Sequence, residues 1–231
     1  MAIAVPNRQY NVARPDSLPV RIAAYQRQRM FQRFLADTQV QPGEAIADVG
    51  VTSDRSYEHS NYLEAWYPDK RAITAVGIDD ASFLEDVYPG MTFVHANGLE
   101  LPFHDRSFDV VHSSAVLEHV GSFANQVRFI EECARIARRA VFLTTPNRWF
   151  PIEFHTVLPL VHWLPKPVFR RLMRSTGREF FSAEANLNLM TARELTHAAA
   201  TAKGTARFDV RVSSVGLAGW PSNLLLSATM R

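Results

Sequence analysis

The pattern of apolar runs predicts an α/β protein: a doubly wound, mostly parallel sheet of seven strands. Two observations carry this expectation. Five short β-type runs alternate with helical patterns between Ala45 and Thr145, and two more runs follow near the C-terminal end. The first five are almost continuously apolar, as strands covered on both faces are, and strands separated by helix-length segments need crossover connections.

The chain has 231 residues, 47% of them hydrophobic and 21% charged, which suits one globular domain over residues 1–231 with a substantial core. Val20, Ile22, Ala23, Met30, Phe31 and Phe34 recur among Arg and Gln and predict an N-terminal helix over residues 17–38 with a basic outer face. The turn signal QPGE, Gln41 to Glu44, then introduces AIADVG, a first strand closed by Gly50. AITAVGI from Ala72, MTFVHA from Met91, SFDVVHS from Ser107 and RAVFLTT from Arg139 supply the next four strands, with helices expected over Tyr57 to Trp66 and Asn125 to Arg138.

After the fifth strand the alternation stops. Residues 146–182 are rich in Pro, Trp, Phe, Leu and Arg and hold no single period, which predicts an insertion of short helices above the sheet. Connections of that length are usually functional. A helix returns from Thr191 to Ala202, where Thr191 and Glu194 make a capping-box pattern. Strands over Arg207 to Val215 and Asn223 to Met230, parted by the breaker-rich GLAGWPS, complete the sheet.

Composition narrows the function classes. A net charge of +2 implies no phosphate-tracking surface and no nucleic-acid partner. The single cysteine, Cys133, has no intrachain partner and predicts a packing role in a reducing compartment. Pro6, Asn7, Arg8 and Gln9 interrupt the start of the chain before a signal-length apolar stretch accumulates, so a cytoplasmic location is expected. His and Cys show no ligand spacing, and no metal is expected from it.

In a doubly wound sheet, ligands lie beyond the carboxyl ends of the strands where strand order reverses. Here every such end is polar or glycine: Asp48 to Asp54 after the first strand, Gly77 to Asp80 after the second, Asn97 and Gly98 after the third, His112 to Ser114 in the fourth. Gly50 allows close backbone approach, and a strand-end carboxylate, Asp79, suits a ribose diol. That pair would serve a nicotinamide cofactor equally well. The dinucleotide pattern G-x-G-x-x-G, however, becomes Gly50, Val51, Thr52, Ser53, Asp54, Arg55, with one glycine of three and a carboxylate where a pyrophosphate would lie. A ligand with a cationic amino group and no phosphate tolerates Asp54 better.

The runs IADVG, AVGIDD and FVHANGLELPFHDRSFDVVHSSAVLEHV, in that order from Ile46, resemble the class I S-adenosylmethionine-dependent methyltransferases, in particular the small-molecule, type 11-like branch. The resemblance covers roughly Ile46 to Pro146 and implies a Rossmann-like fold with S-adenosylmethionine as cofactor. It places Asp48 and Gly50 along the methionine side, Asp79 at the ribose hydroxyls, Asn97 at the adenine amino group, the Gly98 amide at the ring and Ser113 near the donor methyl, with Val51, Thr52 and Asp80 also expected among the cofactor-binding residues. Three departures stand out. The family's D-x-G-x-G-x-G loop is DVGVTSD here, the third-strand Asp is Asn97, and Asp80 stands where apolar residues are commoner.

Methyl transfer from a sulfonium is an in-line displacement that needs positioning and exclusion of water rather than a covalent nucleophile. A hydroxyl acceptor gains from a nearby base, for which His is suited. The candidates are His155, beside Glu153, and His119, after Glu118; Asn147, Trp149, Glu153 and His155 are the expected substrate residues. Residues 149–174 place aromatics beside Arg170, Arg171 and Arg174 but are broken by Pro151, Pro159, Pro165 and Pro167, which excludes a membrane-spanning helix. The segment reads as a lid over a small-molecule acceptor, or as a lid that also rests on a membrane and admits a lipid-linked one. The altered loop keeps a second class open: a cofactor-binding or regulatory protein with weak or no catalysis. Oligomeric state is not legible.

Overall fold

The computed structural model describes residues 17–55, 59–153 and 155–231. Helix α1, Leu18–Thr38, precedes strand β1, Ile46–Val49. Helix α2 (Tyr62–Trp66), strand β2 (Ile73–Gly77), helix α3 (Phe83–Val87) and strand β3 (Thr92–His95) follow. The chain then crosses back through β4 (Phe108–Ser114), α4 (Phe123–Ile136) and β5 (Ala137–Pro146). A small hairpin, β6 (Ile152–Glu153) with β7 (Leu158–Pro159), leads to α5 (Lys166–Ser175). Helix α6 (Ala192–Thr201) and the hairpin β8 (Phe208–Leu217) and β9 (Trp220–Met230) end the fold.

The seven-stranded sheet has the order β3-β2-β1-β4-β5-β9-β8. The first five strands pair in parallel, while β9 runs antiparallel to both β5 and β8. Order reverses between β1 and β4, so the crevice at their carboxyl ends is where this topology seats ligands. The entry to β1 is fixed by Asp109, whose carboxylate accepts from the Ala45 amide at 2.9 Å.

Both faces of the sheet are covered, as the continuous apolar strands require. On one face Phe34 of α1 with Tyr62 and Leu63 of α2 pack on Ile46, Ala75, Val110 and Phe142. On the other, Phe129, Ile130 and Cys133 of α4 with Leu195 and Ala198 of α6 pack on Val111, Val141 and Leu226. Cys133 is fully buried and burial pushes its thiol up, so it packs rather than reacts. The predicted capping box forms: the Thr191 side chain accepts from the Glu194 amide, and Glu194 accepts from the Thr191 amide at 2.7 Å. Among the described residues no helix is long and apolar enough to cross a membrane.

Several expectations need correction. The helix predicted over Tyr57 to Trp66 is only Tyr62–Trp66, and Tyr57 lies outside the described residues. The insertion over 146–182 is not purely helical. It begins with the β6–β7 hairpin because Pro151 and Pro159 bar helix through that stretch, and only Lys166–Ser175 forms a true α-helix. GLAGWPS is not a long breaker. Ala218 and Gly219, with φ of +50° and +84°, turn the chain in two residues, and β8 and β9 run right up to them.

Candidate active site

Gly50 closes β1 at a φ of +99°, and a Cβ there would lie 2.2 Å from Cγ2 of Val116. Its amide donates to the Val76 carbonyl at 2.7 Å, so β2 holds the turn. The loop that follows is pinned by Asn61: the Thr52 amide donates to Asn61 Oδ1 and Asn61 Nδ2 donates to the Thr52 carbonyl, both at 2.9 Å. This substitutes side-chain bonding for the flexibility that the missing glycines would have supplied. Val51 and Asp54 are buried in it, and the Asp54 amide donates to Thr52 Oγ1 at 3.1 Å.

At the tips of β2 and β3, Asp79 is half-buried while Ile78 beside it is 64% exposed, an unusual apolar side chain to leave in solvent at a strand end. His95 Nε2 bonds the Ile78 carbonyl at 2.7 Å. Asp80 does local work: its carboxylate accepts from the Ser82 amide at 2.9 Å, which holds it below the usual carboxylate range. Asn97 Oδ1 likewise accepts from the Leu99 amide, and Gly98 is required because a Cβ there would meet the Phe129 ring at 2.6 Å.

Asp48 was expected on the methionine side of the crevice. It is buried in a network that the spacing of residues does not reveal. His112 Nδ1–H donates to Asp48 Oδ1 at 2.7 Å, and the Tyr62 hydroxyl donates to His112 Nε2 at 2.8 Å. Glu64, fully buried, lies against Asp48. Burial pushes Asp48 up to about 7 and, with the Asp48 charge, raises Glu64 well above the carboxylate range; burial lowers His112 to about 4. Ser113, next on β4, is also buried. The one clue available beforehand was a histidine in an otherwise apolar strand run.

The two predicted bases are brought together. His119 ends a turn after β4, and His155 stands in the β6–β7 hairpin; their Nε2 atoms face each other at 3.2 Å. Each ring is oriented through its other nitrogen. His119 Nδ1–H donates to the Asn186 carbonyl at 2.7 Å, and His155 Nδ1–H to Glu153 Oε1 at 2.6 Å. Glu153 is buried but also accepts from the His155 and Thr156 amides, and His155 draws it down to about 2 against the effect of burial. Burial opposes charge on His155, yet the Glu153 carboxylate more than offsets this and its pKa is raised; burial and then His155 hold His119 down at about 3. Glu118 completes the group. Thr145 Oγ1 donates to its Oε2 at 2.9 Å, its Oε1 is buried without a hydrogen-bond partner, and burial raises it to about 7.

Asn147 serves as a joint at the end of β5. Its Nδ2 donates to the Pro221 carbonyl, its own amide donates to the Ser222 carbonyl, and its Oδ1 accepts from the Trp149 amide. With Phe150, Ile152 and Glu153 it lines a small cleft beside the insertion. Trp149 is exposed and its ring lies edge-on to Trp163, which stacks on Trp220. Asn186, Thr145 and Tyr62 are site contributors that sequence reasoning missed, because each acts through backbone position or long-range packing.

This strand order and crevice define a Rossmann-like methyltransferase fold. Residues 59–144 match the methyltransferase domain family. A probable S-adenosylmethionine-dependent methyltransferase of Mycobacterium tuberculosis is 38% identical over 82 residues, 34% of this chain and 29% of that protein. Another of that description from Mycolicibacterium smegmatis is 44% identical over 63 residues, 26% of this chain and 23% of its own. The chain thus spans less than a third of the length of the curated relatives it matches. Among solved structures, magnesium protoporphyrin IX methyltransferase from Synechocystis, with bound SAH, superposes with a TM-score of 0.59 at 15% identity, covering 97% of this chain and 91% of that one.

Proposed function

We propose that this protein transfers a methyl group from S-adenosylmethionine to a small-molecule or lipid-linked acceptor. The observation that carries the reading is the crevice at the β1–β4 reversal. It joins the tight positive-φ turn at Gly50, the carboxylate of Asp79 for a ribose diol and the exposed apolar Ile78 beside it for a base, with no glycine-rich cradle for phosphates. Those residues fit a nucleoside with an amino-acid tail. When bound, the cofactor supplies an electrophilic methyl on a sulfonium.

The chain's own part is positioning, dehydration and removal of a proton. For a hydroxyl acceptor, the proton acceptors on hand are the Nε2 atoms of His155 and His119, held by Glu153 and the Asn186 carbonyl at the end of the sheet where β4 and β5 finish. The face of the insertion favours an apolar acceptor. Ile152, Leu160, Leu164 and Val168 are exposed there with Trp149, while Phe169, Met173 and Phe181 tie the segment down from beneath. Such a face suits a lipid-linked substrate at a membrane surface.

Calorimetry with S-adenosylmethionine tests the central reading: binding with micromolar or tighter affinity is expected, and an empty titration with folded protein refutes it. The pinned Thr52 loop supports the alternative of weak or absent catalysis, which tight binding without turnover on any hydroxylated lipid or small molecule would favour. Flotation with anionic vesicles decides the membrane arm. Recovery in the top fraction is expected, reduced by charge at Leu160 and Leu164; protein that stays at the bottom rules it out.

A further inference from the structure

We propose that Glu118, His119 and His155 hold a divalent transition-metal cation between the end of the sheet and the insertion. Donor atoms of these three side chains lie within 4.8 Å of one another. Both imidazoles present the same kind of atom to that point. A carbonyl faces Nδ1 of His119 and a carboxylate faces Nδ1 of His155, so each Nδ1 carries a hydrogen and the two Nε2 atoms are turned toward each other. They stand 3.2 Å apart, a contact that a proton shared between the rings or a cation held by both can bridge.

A shared proton accounts for that contact but leaves a second observation untouched. Glu118 Oε1 is buried, has no hydrogen-bond partner, and lies 3.8 Å from His119 Nε2. Burying an unpartnered carboxylate oxygen is costly, and a cation at the shared point gives it a ligand role. The spacing suits one as well. Nitrogens bound at about 2.0–2.1 Å to a tetrahedral ion lie roughly 3.3–3.4 Å apart, close to the separation in this structure.

The outer contacts also follow the pattern of metal sites. Ligating histidines donate their other N–H to a carboxylate or a backbone carbonyl, and here Glu153 and the Asn186 carbonyl take those parts. Two imidazoles and one carboxylate leave at least one coordination position open, as catalytic rather than structural sites do. The His119 and His155 side chains keep 18% and 13% of their surface exposed, while Glu118 is fully buried. Sequence spacing could not reveal the set, because His155 arrives from the hairpin 36 residues beyond His119.

What the cation would do there rests on the methyl-transfer reading: it would take an acceptor oxygen in the open position and lower the pKa of its hydroxyl, the proton leaving to solvent, so that His155 serves as a ligand rather than a free base. That the cation binds does not rest on it. The test uses the full chain, dialysed against EDTA and titrated with Co²⁺ by calorimetry and visible absorption. One Co²⁺ per chain, displaced by Zn²⁺, is expected, with binding weakened at least about 100-fold by His155→Ala and by His119→Ala, and about 10–100-fold by Glu153→Gln.

Should His119→Ala fail to fold, His155→Ala decides alone, since that residue lies in the insertion outside the main sheet. Wild-type protein that takes up no Co²⁺ overturns the proposal and leaves an imidazolium–imidazole pair only. So does binding that both histidine variants retain. SAH calorimetry on the same samples keeps the two readings apart: absent SAH binding sinks the methyltransferase reading whatever the cobalt result.

Discussion

Replacing Gly50 by alanine tests whether the turn that ends β1 is shaped by backbone freedom, by the side chain above it, or by both. At φ +99° any L side chain is strained, at about 1–3 kcal/mol, and a Cβ 2.2 Å from Val116 Cγ2 adds overpacking of about 1–3 kcal/mol. The two together predict a loss of about 2–6 kcal/mol, a large part of the stability of an ordinary domain. Val116→Ala alone removes partly buried methyls and is expected to cost about 1–3 kcal/mol. In the double variant the clash is gone but the backbone strain stays, so the combined loss should fall short of the sum by about 1–3 kcal/mol. Urea unfolding with the midpoint and slope followed for all four proteins reads the cycle out. Strict additivity, or a Gly50→Ala loss below about 1 kcal/mol, would refute the idea that Val116 occupies the space over Gly50.

Asp79→Ala should weaken S-adenosylmethionine about 10–100-fold in calorimetry with little change in melting temperature, as loss of a charged hydrogen-bond acceptor does; unchanged affinity would remove Asp79 from the ribose site. Thr191→Ala should cost about 1 kcal/mol by removing one half of the capping box on α6, seen as a lower urea midpoint at constant slope. The buried carboxylates predict a pH dependence. Asp48 rises from 3.8 to about 7 on folding, so its protonated form stabilises the fold fully below the unfolded value and that contribution is lost as pH climbs through about 7. Asp48→Asn should flatten the fall of the urea midpoint across that window, and a fall as steep as the wild type's would show that the proton resides elsewhere.

The strands were legible because each is covered on both faces, so burial alone writes them as apolar runs: Ile46, Val76 and Val111 stand in core positions that their neighbours already implied. Helix α6 was legible for a local reason, the Thr191–Glu194 cap. The insertion was misjudged because its prolines signal where helix stops without saying what replaces it. Within the site, His119 and His155 could be nominated singly from their acidic neighbours, Glu118 and Glu153. Their meeting could not, since it depends on where a hairpin folds back over the sheet. His112 was visible as a strand-end polar residue, but its bonds to Asp48 and Tyr62 join three separate elements, and no one-dimensional spacing encodes such a contact.

Three of the chain's four tryptophans, Trp149, Trp163 and Trp220, touch ring to ring where the insertion meets the β8–β9 hairpin. Their emission is therefore a label-free gauge of how the insertion sits. Any acceptor, vesicle or ion that shifts it against the hairpin must separate or re-stack the indoles, and the change in intrinsic fluorescence would time that motion directly.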